Sequence, residues 1–290
     1  MSLAVAVGLA LAVATAFTSV VGFLYKHRGA VASPPVEMSR PVRSSLALFR
    51  SGAYLLGIII ATASWGLHVA ALSLAPISLV QSVIAGGLVL LTVTADRLFA
   101  QEVTRREWIG VALAAAGLAF LAATIGDTGH SAHASYATAR LAPYITVAAC
   151  AGLAIAAVAP AGPRQGPALG IAAGLLWAAS DTSIKALSGQ LGDGAAAVLL
   201  DPLAAVVALA SFAGLVVSAR SLQVGRAVPV IALTSVAANV VTIAAGPVVF
   251  EEPLPGSTLG IVIRLLAFTL VVTAAALTPA PARLAEAAEA

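Results

Sequence analysis

Residues 52–72 read GAYLLGIIIATASWGLHVAAL, and no Asp, Glu, Lys or Arg occurs from there back to Arg50 or forward to the Ala75-Pro76 pair. At about 1.5 Å per residue, a helix of this length measures about 30 Å, the thickness of a bilayer's hydrocarbon core. One ionised side chain at its centre would cost about 3 kcal/mol on insertion scales, so the missing charge is what the lipid demands. The block is read as a spanning helix.

Working outward from it, apolar runs bounded by charged residues or by Pro and Gly recur near 3–24, 77–95, 108–125, 142–159, 168–187, 195–219, 228–249 and 258–277. Of the 290 residues, 60% are hydrophobic and only 9% charged, which excludes a soluble globular domain. The expected fold class is an all-α polytopic membrane protein with about nine transmembrane helices. The net charge of +3 does not point to nucleic acid, because the basic residues lie in short loops beside the helices, where anionic lipid accounts for them. Cys150 is the only cysteine, so no intrachain disulfide or thiolate cluster can form. The first block has no basic residue before it and is followed at once by Lys26 and Arg28, which reads as a retained helix with a translocated N-terminus.

Twelve of the 15 Lys and Arg fall in loops one, three, five and seven and in the C-terminal tail, among them Lys26, Arg28, Arg105, Arg164 and Arg226. The positive-inside rule then places the N-terminus outside and the C-terminus in the cytoplasm of a cytoplasmic (inner) membrane. Sliding the chain by 150 residues pairs Leu72 with Leu222, Val80 with Val230, Thr92 with Thr242, Glu102 with Glu252 and Gly110 with Gly260. The shared punctuation carries the match: a helix, an acidic residue past its end, then a Gly opening the next helix. Tyr25-Lys26 closes helix one much as Ile184-Lys185 closes helix six. The expected organisation is a four-helix repeat over 1–125, an outer loop and linker helix over 126–166, and a second repeat with a short tail over 167–290. Five helices separate each element from its mate, and an odd number inverts the second repeat in the membrane. Inverted repeats are a common basis of alternating access.

The segment Ala70-Ala71-Leu72-Ser73-Leu74-Ala75-Pro76-Ile77-Ser78-Leu79-Val80, the acidic exit Gln101-Glu102-Val103-Thr104 and Trp108-Ile109-Gly110 resemble the drug/metabolite transporter superfamily. Ser221-Leu222-Gln223-Val224-Gly225 through Phe250-Glu251-Glu252-Pro253-Leu254 repeats the pattern. The nine-helix layout, Lys26-His27-Arg28-Gly29 and Ala75-Pro76-x-x-Leu79-Val80 look most like the magnesium-transporter branch named NIPA and its bacterial relatives. That resemblance implies carriage of a divalent cation, although Trp65 stands where such members are expected to hold an acid and His68 where they hold an Asn. Small multidrug-resistance exporters, four-helix relatives of each half, carry a proton-coupling Glu that falls here on Thr18 and Trp177.

Polar residues within the blocks are the candidate pathway. Asp181 and Lys185 are four apart, hence on one helical face, with Trp177 one turn away, an arrangement suited to a zwitterion or small cation. The structural alternative is a helix end at which Lys185 reaches the headgroups and neutralises Asp181. Asp201 precedes Pro202 and reads either as a ligand or as a helix break. Arg264 pairs with Asp201 or Asp181 or meets substrate, and His68 is a packing residue or a relay. Gln81 and Asn239 are amides in helices three and eight, read as pathway groups or interhelical hydrogen bonds. Glu102, Glu251 and Glu252 sit at helix exits and read as caps or loop charges. His130 and His133 with Asp127 read as a solvated loop rather than a metal site, and whether any metal binds is not set by the sequence.

No nucleophile triad, phosphate loop or catalytic carboxylate pair is present, so no enzyme chemistry and no cofactor is expected. The expected function is secondary transport of a small solute, metabolite or cation, by alternating access. The alternatives are a NIPA-like magnesium carrier and a non-transporting membrane scaffold or accessory subunit. The partners implied are a small-molecule or ion substrate and membrane lipid, with no nucleic acid and with a homodimer left open; the Gly170-x-x-x-Gly174 spacing is explained by close helix packing alone.

Overall fold

The structure, a computed structural model, describes residues 2–37, 40–86, 135–253 and 256–263, with positions 105, 108–110, 112–113, 116–117, 266–267 and 270. Its helices are α1 (Leu3–Val31), α2 (Pro41–Leu46), α3 (Gly52–Leu74), α4 (Ile77–Gly86), α5 (Thr138–Val158), α6 (Gln165–Ser188), α7 (Ala195–Leu200), α8 (Pro202–Val224) and α9 (Ala227–Val249). Short 3-10 turns lie at Ala47–Arg50 and Leu191–Asp193, and there is no strand among the described residues. Five of these helices, α1, α3, α5, α8 and α9, are long and apolar enough to cross a membrane. Leu3, Ile59, Val147, Val158 and Leu209 are each more than half exposed, an apolar surface that lipid covers and water would not tolerate. The chain is a multi-pass, all-helical membrane protein.

Helix ends follow local chemistry. Ser2 and Ser51 cap α1 and α3 by accepting hydrogen bonds from the Val5 and Tyr54 amides. The helix expected over 195–219 is two helices, because Asp201 turns the chain into extended backbone and Pro202 then begins α8. The Asp201 carboxylate accepts from the Leu203 amide at 2.8 Å and from Gln190 Nε2 at 2.9 Å. The helix expected over 3–24 continues to Val31, with Lys26 inside it and only 4% exposed. Gly57 of α3 makes room: a Cβ there would lie 2.6 Å from the Lys26 amide nitrogen and 2.8 Å from its Cγ. The expected helices over 108–125 and 258–277, and the end of the one over 77–95, fall largely outside the described residues.

Packing divides into two layers of contact. α1 lies along α3 and also meets α4, while α6 lies along α8 and meets α9 and α5. Between these groups α4 packs on α9, α1 touches α8, and α3 touches α6. α9 is the interior strut: 67% of its spanning window is buried, against 22% to 33% in the other four spanning helices. α6 is interior too: its polar Ser180, Thr182, Ser183 and Lys185 are buried in protein, and together with Asp181 they lower its hydropathy. The loop after α1 is pinned from α8. Gln223 donates to the Ala30 and Pro34 carbonyls and accepts from the Val36 amide at 2.8 Å.

Candidate functional site

A cavity of about 720 Å³ lies between α1 and α3 on one side and α6, α8 and α9 on the other, with α4 contributing Gln81 and Ile84. Its wall is largely apolar and aromatic, including Phe23, Trp65, Trp177 and Phe212. Volume and lining match those of small-molecule sites, in which a few polar groups orient a ligand held mainly by apolar surface.

Asp181 is the only carboxylate in that lining among the described residues. One of its oxygens lies 3.3 Å from His68 Nε2 of α3, and the other accepts from Gln81 Nε2 of α4 at 3.3 Å. Gln81 Nε2 and His68 Nε2 are 3.5 Å apart, so both side chains converge on one carboxylate. With the Nε2 proton directed at Asp181, His68 Nδ1 is left buried without a hydrogen-bond partner. Three helices thus hold one acidic group at the edge of the cavity. The carboxylate is 16% exposed, enough for a ligand to reach it.

Two serine pairs stitch the walls. Ser19 of α1 and Ser64 of α3 are 2.6 Å apart, and Ser180 of α6 and Ser211 of α8 are 2.9 Å apart. Trp177 packs against Gly214, where a Cβ would come within 3.2 Å of the indole, and its buried Nε1 has no hydrogen-bond partner among the described residues. Asn239 of α9 lines the cavity and is 3% exposed.

Lys185 stands apart from the cavity lining. Its ammonium is fully buried and donates to the Leu72 carbonyl at 2.7 Å and the Ala75 carbonyl at 2.8 Å, the end of α3. At the same corner Glu252, 3% exposed, accepts from the Ser78 amide in the first turn of α4 at 3.5 Å. The signs suit the backbone, with a cation on the carbonyl end of one helix and an anion on the amide end of the next. Lys185 and Glu252 therefore grip the α3–Pro76–α4 corner.

Of the residues singled out in the sequence, the structure brings together Asp181, His68, Gln81, Trp177 and Asn239 around the cavity. Asp201 is a helix cap outside it, and Arg264 lies outside the described residues, as do Glu102, Asp127, His130 and His133. The sequence reading passed over Lys26 as a loop charge, whereas it lines the cavity with its ammonium 3.8 Å from the centre of the Phe23 ring. The available signal was Phe23 three residues earlier, one turn back on the same helical face. Glu252, read as an exit charge, is buried at the corner that Lys185 holds.

Fold and cavity define a multi-pass helical membrane protein with a polar group held at an internal, ligand-sized space. No protein-family model, curated protein or solved structure matches this chain.

Proposed function

We propose that this chain is a secondary transporter that carries a small solute through the cavity by alternating access, with Asp181 as its principal polar contact. The observation that carries the reading is a cavity of about 720 Å³ between two helix groups in which, among the described residues, the one lining carboxylate is held by a histidine and an amide. Polar groups inside a membrane protein are costly and usually face a pathway or one another.

An inverted-repeat arrangement is supported by the packing. Exchanging α1 with α6, α3 with α8 and α4 with α9 converts the α1–α3 contact into α6–α8, α1–α4 into α6–α9, and α1–α8 into α6–α3. The α4–α9 contact maps onto itself. Finer details follow the same exchange. A Cβ on Gly8 would meet the Ala75 Cβ at 3.0 Å, and one on Gly166, 158 positions later, would meet the Cα of Gly225, 150 positions after Ala75, at 2.6 Å. The caps Ser51 and Asp201 are also 150 apart. The bias of basic loops supports reading the N-terminus as outside and the C-terminus as cytoplasmic. The resemblance to the NIPA branch favours magnesium as cargo, but the one carboxylate lining the cavity among the described residues, with amides and hydroxyls, offers fewer hard oxygen charges than such an ion prefers.

The test is flux in liposomes containing the purified full chain, screened with cationic, zwitterionic and anionic solutes and with Mg²⁺. Saturable uptake of at least one solute is expected. Absence of flux for the whole panel, together with a stoichiometric protein partner on mild extraction, would establish the scaffold reading instead.

A further inference from the structure

Lys26 presents a charge problem that the protein itself leaves open. Its residue is 4% exposed and its ammonium lies over the Phe23 ring at the cavity wall. Among the described residues no carboxylate lies within ion-pair distance of it. A snorkelling lysine would show its head outside, and this one is enclosed. Cation–π attraction offsets only part of the cost of withdrawing an ammonium from water, so an anion is the natural complement.

The position is also the electrical opposite of Asp181. In the register of the Gly8–Ala75 and Gly166–Gly225 contacts, one position off the Lys26–Lys185 match read from the sequence, Asp181 corresponds to Phe23, 158 positions apart, so one half offers a carboxylate where the other offers a ring bearing a cation. Lys26 packs at the Gly57 level of α3 and Asp181 at the His68 level, about 16 Å apart along that helix. The cavity is therefore polarised along its length.

We propose that Lys26 is an oxyanion subsite of this cavity, receiving a carboxylate or phosphate group while the remainder of the ligand lies against the aromatic wall toward Asp181. As a statement about the solute, this rests on the transport reading above. The same chemistry is offered by a free solute or by an anionic lipid headgroup entering between the helices. Trp65 and Trp177 line the cavity and report its occupation.

The experiment titrates the full-length protein in phosphatidylcholine nanodiscs with sodium benzoate, inorganic phosphate and benzylamine, following tryptophan fluorescence. A parallel series replaces part of the lipid by phosphatidylglycerol. Saturable binding of benzoate or phosphate is expected, weakened about tenfold or more in Lys26→Met and largely retained in Lys26→Arg, in keeping with a charge-assisted hydrogen bond. Benzylamine should bind equally well to wild type and Lys26→Met. A response in pure phosphatidylcholine assigns the subsite to a free solute, and a Lys26-dependent response only to phosphatidylglycerol assigns it to a headgroup. No saturable response to any anion, or equal anion binding by wild type and Lys26→Met, would overturn the proposal. Because the readout is binding, Lys26-dependent binding without flux discards transport and keeps the subsite, whereas flux with Lys26-independent binding discards the subsite alone.

Discussion

Replacing Lys185 by methionine is expected to destabilise the folded protein by about 3–5 kcal/mol, the usual consequence of removing one partner from a buried, hydrogen-bonded charge arrangement. The change removes two short bonds to the last carbonyls of α3 and leaves Glu252 buried at the α4 N-terminus without its nearby cation. Among the described residues Glu252 Oε2 already has no hydrogen-bond partner, so none of them is placed to replace the lost cation. Thermal unfolding in detergent measures it. Adding Glu252→Gln should restore part of the loss by neutralising the stranded carboxylate, so the two substitutions should be non-additive. Strict additivity, or a Lys185→Met protein as stable as wild type, would show that the corner is not held electrostatically.

The second large effect is on transport. Asp181→Asn keeps the size of the side chain and one oxygen that can accept from His68, while its amide nitrogen can only donate, so Gln81 must turn its own oxygen toward it; the change removes the only carboxylate lining the cavity among the described residues. Flux should fall about 100-fold, corresponding to about 2.7 kcal/mol of lost charge interaction in an enclosed site. The unfolding temperature should move by no more than a few degrees, since the isostere fills the same space and a flip of the Gln81 amide lets both side chains stay hydrogen-bonded. Liposome uptake and thermal unfolding on the same preparation separate the two. Undiminished uptake by a folded Asp181→Asn protein would remove Asp181 from the pathway.

These contrasting expectations for two residues one helical turn apart show what the sequence could and could not express. Hydropathy located spanning blocks because lipid imposes the same demand along a whole helix, and the Gly52–Leu74 helix differs from the expected 52–72 only at its end. Spacing placed Asp181 and Lys185 on one face, yet it carries no record of which neighbours come from α3 and α4. The long lysine side chain reaches the carbonyls of α3, while the short aspartate stops at the cavity edge. Lys26 illustrates the opposite case. A basic residue after an apolar run looks like a loop charge until Gly57 is found beneath its stem and Phe23 under its ammonium. Asp201 was legible as a break because Pro202 fixes the local backbone, a restriction that needs no tertiary partner.

In the proposed transport reading, the cavity takes its role from two helix groups pointing in opposite directions through one membrane. Gly52, at the start of α3, and Gly192, in the turn before α7 and α8, are exposed, and a Cβ at either meets nothing within 4 Å. Single cysteines can be placed at each in a Cys150→Ala background and treated with a membrane-impermeant maleimide on intact and on opened cells. Gly192→Cys should react on intact cells and Gly52→Cys only after opening. Reaction of both from the same side would contradict the inverted arrangement and the transport reading built on it.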